Sequence, residues 1–175
     1  MALRNPLVLI AGAPAELPAG DTVNGASGGG DPWSYIKLAA DVANSTVTLA
    51  DVTGLSFTAV ANTTYLVELT GTCQSGATTT GSALALTIPS GSISGFALHP
   101  ISTTTTNSVE QIASAATSGA TTGFRAAATN VPVCGRWIVA VGVTGGVVKV
   151  QFRSEIAASA VTMKAAVTAL GWRVI

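Results

Sequence analysis

The chain has 175 residues, of which 48% are hydrophobic and only 9% are charged, against about 25% charged residues in an ordinary globular domain. Its eight basic residues balance eight acidic residues, so the net charge is zero. This composition excludes an extended basic surface for nucleic-acid phosphates. It favours association between copies, because little charge repulsion keeps them apart. Nucleic acid is therefore not an expected partner.

Residues 1–32 differ in composition from the rest of the chain, because they hold four prolines, a glycine-rich patch and one short apolar run. Prolines remove backbone donors and glycines are flexible, so this segment is predicted to be an extended arm held by another copy or another protein. Its start imitates a secretory signal peptide, but the apolar core is short and follows Pro6. No apolar stretch reaches the roughly 20 residues that span a membrane. We expect neither secretion nor membrane insertion.

Residues 33–175 are predicted to form one all-β domain, because short runs of alternating apolar and polar residues are separated by Gly, Thr and Ser turns. Threonine favours strands over helix interiors, since its branched β-carbon is stiff. Many short strands of this kind are typical of sandwiches, jelly rolls and barrels. We predict a jelly-roll-like antiparallel β-sandwich.

Three local features are predicted along this domain, in chain order. Residues 51–54 interrupt the alternating run STVTLADVTGLSFTAV. Residues 108–118 contain SVEQIASAAT, the one stretch that could equally form a short helix. Residues 144–146, Thr-Gly-Gly, are typical of a tight turn and lie between two strand patterns, so they predict a hairpin.

The strand VVKVQFRSEI, residues 147–156, separates its side chains into two faces. One face holds Val148, Val150, Phe152 and Ser154, and the other holds Lys149, Gln151, Arg153 and Glu155. The second face is either a solvated face with cross-strand ion pairs or a contact between subunits. In the latter case, Arg153 and Glu155 would fix the register between copies.

The sequence ends within a strand pattern, ALGWRVI at residues 169–175. We expect this phrase to complete a sheet or to seal a three-fold interface, where a polar tail would interfere. Trp172 and Ile175 are accordingly predicted to lie at a contact between subunits, and deletion of residues 171–175 is expected to abolish trimers.

The cysteines and the histidine do not form a metal-binding pattern. Cys73 and Cys134 lie far apart in sequence; small buried residues are the favoured interpretation and a disulfide is the alternative. His99 is the only histidine and precedes a proline, which favours a structural role, although stacking of identical histidines on a trimer axis stays open. We predict no metal site.

Catalytic motifs are equally missing from the sequence. There is no Gly-x-Ser-x-Gly elbow, and the glycines of residues 25–30 lack the Lys-Ser/Thr of a phosphate loop. A glycosidase needs two carboxylates close together in a cleft. The eight carboxylates here are scattered along the sequence, and nothing in it indicates such a pair. We predict that the protein is not an enzyme and has no catalytic residues or cofactor. The tryptophans lie in or beside apolar runs and are predicted core residues: Trp33, Trp137 and Trp172.

Several segments of the sequence resemble segments of tailed-bacteriophage virion proteins. NPLVLIAGAPAELPAGDTVNG places a short apolar strand before LPAGDT, residues 17–22. NSTVTLADVTGLSF, TTYLVELTGTCQSGATTTG and VKVQFRSEIAASAVTMKAAVTALGWRVI are similar to body phrases of the same group, whose last strand ends in an apolar or aromatic–basic phrase. The resemblance covers most of the chain.

The resemblance implies a structural protein of the virion, made in the host bacterial cytoplasm and located on the capsid surface. Such modules are commonly trimeric β-sandwiches that decorate capsids or form tips of tail fibres. Because the chain contains no shaft, we expect a capsid decoration (cement) protein. It would be a homotrimer that binds the major capsid protein through the arm residues Leu7, Val8, Leu9 and Ile10.

Two other functions are kept as alternatives. A tail-fibre or baseplate module would contact a host-surface receptor or glycan through loops around residues 78–80 or 103–106, and exposed Trp or Tyr at loop tips would favour it. An enzyme such as a depolymerase would need paired carboxylates in a groove.

Overall fold

The computed structural model describes residues 7–10, 13–16, 33–99, 108–113, 123 and 127–175. Every regular element in these residues is a β-strand, which confirms the all-β prediction. The strands are β1 (Leu7–Ile10), β2 (Ala13–Glu16), β3 (Ser34–Lys37), β4 (Val42–Asn44), β5 (Ala50–Ala59), β6 (Thr64–Ser75), β7 (Ser82–Thr87), β8 (Gly91–His99), β9 (Ser108–Ala113), β10 (Val131–Val141), β11 (Gly146–Ser154), β12 (Val161–Met163) and β13 (Ala169–Val174).

The chain divides into two units, Met1–Pro32 and Trp33–Ile175. In the first unit, β1 pairs with β2 in antiparallel fashion, from Leu7 opposite Glu16 to Ile10 opposite Ala13. The four predicted capsid-binding residues therefore form one strand of a short hairpin. The predicted extended arm lies largely outside the described residues and stays a prediction.

The second unit contains two antiparallel sheets. In the larger sheet the strand order is β3-β13-β6-β10-β8-β9, and β12 pairs with both β4 and β6. In the smaller sheet the order is β5-β11-β7. The last strand, β13, lies between β3 and β6. The end of the sequence therefore completes a sheet, as one of the two predicted roles requires.

Apolar side chains from both sheets meet in one buried core. Alternation along β11 buries one face of the strand, which confirms the prediction made from its sequence. Trp137 is fully buried and Trp172 packs against the core, as predicted, whereas Trp33 is half-buried and stacks on Tyr35 instead. The largest fully buried side chains are Trp137, Phe152, Leu38, Leu55, Leu69, Leu84, Leu86, Met163 and Leu170.

The predicted hairpin around residues 144–146 is wrong. β10 pairs with β6 and β8 in the larger sheet, whereas β11 pairs with β5 and β7 in the smaller sheet. The turn after Val141 therefore carries the chain from one sheet to the other. Turn chemistry shows where a strand ends, but it does not specify which sheet the next strand joins.

The structure also decides the two other local features. Ser108–Ala113 is not helical but forms β9, which pairs with β8. The predicted interruption at residues 51–54 is present, as a bulge within the single strand β5. Lys149 pairs with Ser56 and Gln151 pairs with Asp51, so residues 52–55 stand opposite Val150 alone. Gly54 has a φ of 95° in this bulge, a conformation that glycine adopts without steric cost.

Candidate interaction surface

The outer face of the larger sheet is built by the side chains that alternate with the core residues. On β10, Trp137 and Val139 point into the core, so Arg136 and Ile138 point outward. The strand register places Arg136 between Glu68 on β6 and Phe96 on β8. We call this surface the outer face. It brings together residues that are far apart in sequence, such as Glu68, Phe96 and Arg136.

A groove of about 450 Å³ lies on the outer face. Its apolar lining includes Leu66, Phe96, Ile138 and Ile175, which come from four different parts of the chain. Phe96 is 39% exposed, Ile138 48% and Ile175 57%. Single exposed apolar residues are ordinary, but a contiguous apolar groove indicates a site of interaction.

Two arginines line the groove and differ in their partners. Arg136 Nε lies 3.2 Å from Glu68 Oε1 in a half-exposed ion pair. The guanidinium of Arg173 lies 5.0 Å from the centre of the Trp33 ring, in cation–π geometry. Arg173 Nε is buried and has no hydrogen-bond acceptor among the described residues. A buried donor without an acceptor costs free energy, so Arg173 is a candidate for an anionic partner.

On the outer side of the smaller sheet, in contrast, polar side chains form hydrogen bonds and an ion pair with one another. Lys149 Nζ donates to Asp51 Oδ2 at 2.8 Å, and Gln151 Nε2 donates to Asp51 Oδ1 at 2.6 Å. Thr87 Oγ1 in turn donates to Gln151 Oε1 at 2.7 Å. The hydrogen bonds from Lys149 and Gln151 hold the pKa of Asp51 below its usual value. Of the two interpretations of this strand face, Lys149 and Gln151 therefore fit the solvated face with cross-strand ion pairs.

The four predicted intersubunit residues lie in different places. Arg153 donates weakly to the Val47 carbonyl, at 3.4 Å. Glu155 Oε2 accepts a hydrogen bond from the backbone N–H of Gly81 at 3.0 Å. Trp172 stacks on Phe57 at the edge of the core, with ring centres 4.5 Å apart. Ile175 lines the groove. The structure therefore brings only Ile175 to the outer face, and the intersubunit roles stay predictions.

The loops predicted for host binding are only partly described. Residues 103–106 lie outside the described residues. In the loop of residues 78–80, Thr80 is buried and its hydroxyl lies 2.6 Å from that of Ser159. Among the described residues outside the strands, the only Trp or Tyr is Trp33, which directly precedes β3 and is half-buried rather than at a loop tip. The feature that would favour a glycan-binding module is thus missing from these loops.

Both cysteines are free, so the disulfide alternative was wrong. Cys73 stands opposite Val131 on the neighbouring strand, whereas Cys134 stands opposite Thr70. Cys73 is buried, as predicted, and Cys134 is half-buried on the outer face. Burial raises the pKa of both thiols. The predicted structural role of His99, the last residue of β8, concerns a side chain outside those described.

The four side-chain carboxylates that the structure describes, those of Asp41, Asp51, Glu68 and Glu155, each have a separate partner. Lys164 donates to Asp41, whose pKa is held low by that bond and by the N–H of Ala165. The ion pairs or hydrogen bonds of Asp51, Glu68 and Glu155 involve other residues. Within the described parts of the chain, no group of three His, Cys, Asp or Glu side chains could hold a metal ion. In those same parts, no helix has the length and apolarity needed to cross a membrane.

Comparison with protein families and with curated proteins gives no relative. No protein-family model matches the chain, and no match was found among the curated proteins. We therefore infer function from the sequence and from the surfaces described above. The groove was not predicted from the sequence. Its local signals were Leu66, Phe96 and Ile138, which are apolar residues at positions of β6, β8 and β10 where alternation leads one to expect polar side chains.

Proposed function

We propose that the protein is a capsid decoration (cement) protein, a non-enzymatic structural protein of a phage virion. It acts as a homotrimer on the capsid surface and binds the major capsid protein through Leu7, Val8, Leu9 and Ile10. The observation that carries the proposal is the apolar groove of the outer face, in a chain with zero net charge and only 9% charged residues. Such a surface suits a subunit that is covered by its neighbours.

We further propose that the second unit is a variant of the jelly roll, which consists of eight strands in two sheets and two Greek keys. The strand order supports this proposal, because β5, β6 and β7 alternate between the two sheets and so do β10, β11 and β13. The departure concerns β8, which pairs with β10 in the larger sheet. In a regular jelly roll a fourth strand would extend the smaller sheet beyond β7.

A structural role is also supported by the polar residues. The four carboxylates whose side chains are described are engaged by separate partners within the same chain, and the polar groups on the outer side of the smaller sheet bond to one another. The tail-fibre or baseplate alternative would draw on aromatic loop tips, which the described loops lack. That alternative becomes an outcome of the test below.

The proposal is tested by binding to phage heads that lack the protein. We expect the chain to sediment with heads, to saturate in multiples of three copies and to raise the temperature at which heads rupture. Positions 7 and 9 share one face of β1, and positions 8 and 10 share the other. The paired variants Leu7→Asp/Leu9→Asp and Val8→Asp/Ile10→Asp therefore identify the binding face.

At least one of the two pairs should abolish binding, while circular dichroism and sedimentation show an unchanged fold and an unchanged trimer. Binding that survives both pairs would refute the role of the arm. Binding to tails or to the host envelope, with none to heads, would refute decoration and support the tail alternative.

A further inference from the structure

We propose that the groove receives a loop of a neighbouring copy of this chain, residues 155–160. Ile156 of the neighbour packs against Leu66, Phe96 and Ile138, and the Glu155 carboxylate of the neighbour pairs with Arg173. This inference rests on the homotrimer proposed above, and it identifies the contact that joins the copies.

The groove provides an apolar floor beside an arginine that lacks an anion. Arg173 is held over the Trp33 ring, and its Nε is buried without an acceptor. Arg136, the other arginine, already has Glu68 as its partner. An occupant should therefore carry one carboxylate next to an apolar side chain, because arginine binds carboxylates through charge-assisted hydrogen bonds.

The loop after β11 has this chemistry. Several large apolar residues are exposed in the described turns, and of these Ile156 alone directly adjoins a carboxylate residue. Ile156 is 43% exposed. Glu155 accepts from Gly81 through Oε2, whereas Oε1 has no partner among the described residues. One carboxylate oxygen is thus free to accept from Arg173 of another copy.

The loop is also held in place before it binds. The backbone N–H of Glu155 donates to the Gly81 carbonyl at 3.0 Å, and that of Ala158 donates to the Ser45 carbonyl at 2.8 Å. Ser154 Oγ donates to the Ile156 carbonyl at 2.9 Å. Little conformational freedom is lost when such a loop docks, which favours association.

The two halves of the contact lie on different surfaces. The groove is on the outer face of the larger sheet, and the loop follows a strand of the smaller sheet. A contact between two different surfaces is heterologous, and it generates a ring or a filament rather than a two-fold dimer. A trimer is a ring of this kind, so the contact fits the proposed oligomeric state.

Charge exchange tests the ion pair. Arg173→Glu and Glu155→Arg are each expected to weaken the trimer about tenfold in its association constant, as loss of a close charge pair does. The double variant should recover most of that loss, when the equilibrium is measured by sedimentation velocity. Lys37→Glu is the control, because it reverses an exposed charge on β3 that belongs to neither half of the proposed contact. Thermal unfolding verifies that each variant is folded.

A disulfide trap tests the position of the loop. Ile138→Cys and Ile156→Cys are combined in a Cys134→Ser background, where the remaining Cys73 is buried. Under oxidising conditions the double variant should give covalent dimers and trimers, whereas each single cysteine should give no trimers.

The outcomes separate this inference from the proposed function. If the charge-reversed variants stay trimeric and no crosslinked trimers form, the contact is wrong while the homotrimer stands. If the unaltered protein is monomeric at every concentration, the homotrimer fails and this inference fails with it.

Discussion

Thr168 occupies the space that a side chain at position 71 would need. Several of its atoms would lie within 3.0 Å of a Cβ built on Gly71. Thr168 is fully buried, and its Oγ1 accepts a hydrogen bond from the backbone N–H of Thr72 at 3.3 Å. At this point β6 changes neighbours, from β13 to β12. The glycine therefore allows one long strand to pair with two short ones.

Gly71→Ala should destabilise the fold by about 1–3 kcal/mol, because the added methyl group would have to displace a buried side chain. Urea unfolding measures the change. Gly76→Ala is the matched control, since the nearest atom to its Cβ would be the Ala160 carbonyl oxygen at 3.6 Å, an ordinary contact. Equal effects of the two substitutions would show that Thr168 does not constrain position 71.

Asn44 stabilises the junction between β4 and β5 with both ends of its buried amide. Its Nδ2 donates to the carbonyls of Thr48 and Phe152, at 3.0 and 2.9 Å. Its Oδ1 accepts from the backbone N–H and the hydroxyl of Thr46, both at 2.8 Å. Every hydrogen-bonding position of the side chain is therefore used.

Asn44→Asp should make stability fall as pH rises. The new carboxyl would be buried and would face two carbonyl oxygens, so its pKa in the folded state would be raised above the unfolded value of about 3.9. The folded state then binds more protons, and stability is lost as pH rises above the unfolded pKa. At neutral pH we expect a loss of about 2 kcal/mol or more. Unfolding is measured from pH 3 to 7.

Asn62→Asp is the control for this pH series, because Asn62 is exposed. Its stability should differ little from that of the unaltered protein at any of these pH values. A pH profile of Asn44→Asp that is parallel to that of the control would contradict the assignment of the two carbonyls.

The cross-strand network around Asp51 should contribute a small, acid-sensitive stability. Its folded pKa lies below the usual 3.8, so the contribution is present above that value and is lost as pH falls through the folded pKa. The pair is exposed, which limits the effect to roughly 1 kcal/mol. The difference in unfolding free energy between the unaltered protein and Asp51→Asn should therefore shrink below pH 3. A difference that is the same at pH 7 and pH 2 would contradict this account.

The two thiols should react at different rates. Cys134 is half-buried on the outer face and should be labelled by maleimide in the folded protein, whereas Cys73 should react only after unfolding. Because burial raises the pKa of both thiols, labelling of Cys134 should be slow at neutral pH and faster above pH 9. Mass spectrometry of digested protein locates the label. Labelling of Cys73 under native conditions would contradict the position of β6 in the core.

Local patterns predicted much of the fold but not the assignment of strands to sheets. The alternation in β11 identified its buried face correctly, because a strand has a period of two that any sheet preserves. The turn between β10 and β11 was misread, since pairing depends on distant strands such as β6 and β5. Ser108–Ala113 forms a strand because β8 provides a partner for it, which overrides weak local preference.

The candidate site could not be predicted for a similar reason. The C-terminal phrase that contains Arg173 was recognised as a contact region, but Trp33, which positions Arg173, lies at the opposite end of the domain sequence. The groove combines residues of β6, β8, β10 and β13. Deletion of residues 171–175 would remove most of β13, which is paired with β3 on one side and β6 on the other. That deletion would disturb the fold as well as any trimer, so single substitutions are the better test.

The most direct test of the proposed function is cryo-electron microscopy of intact phage particles that contain the chain. Decoration predicts trimers at many equivalent positions on the head, with Leu7–Ile10 against the major capsid protein. A few copies confined to the tail, or no copies in the particle, would contradict the account.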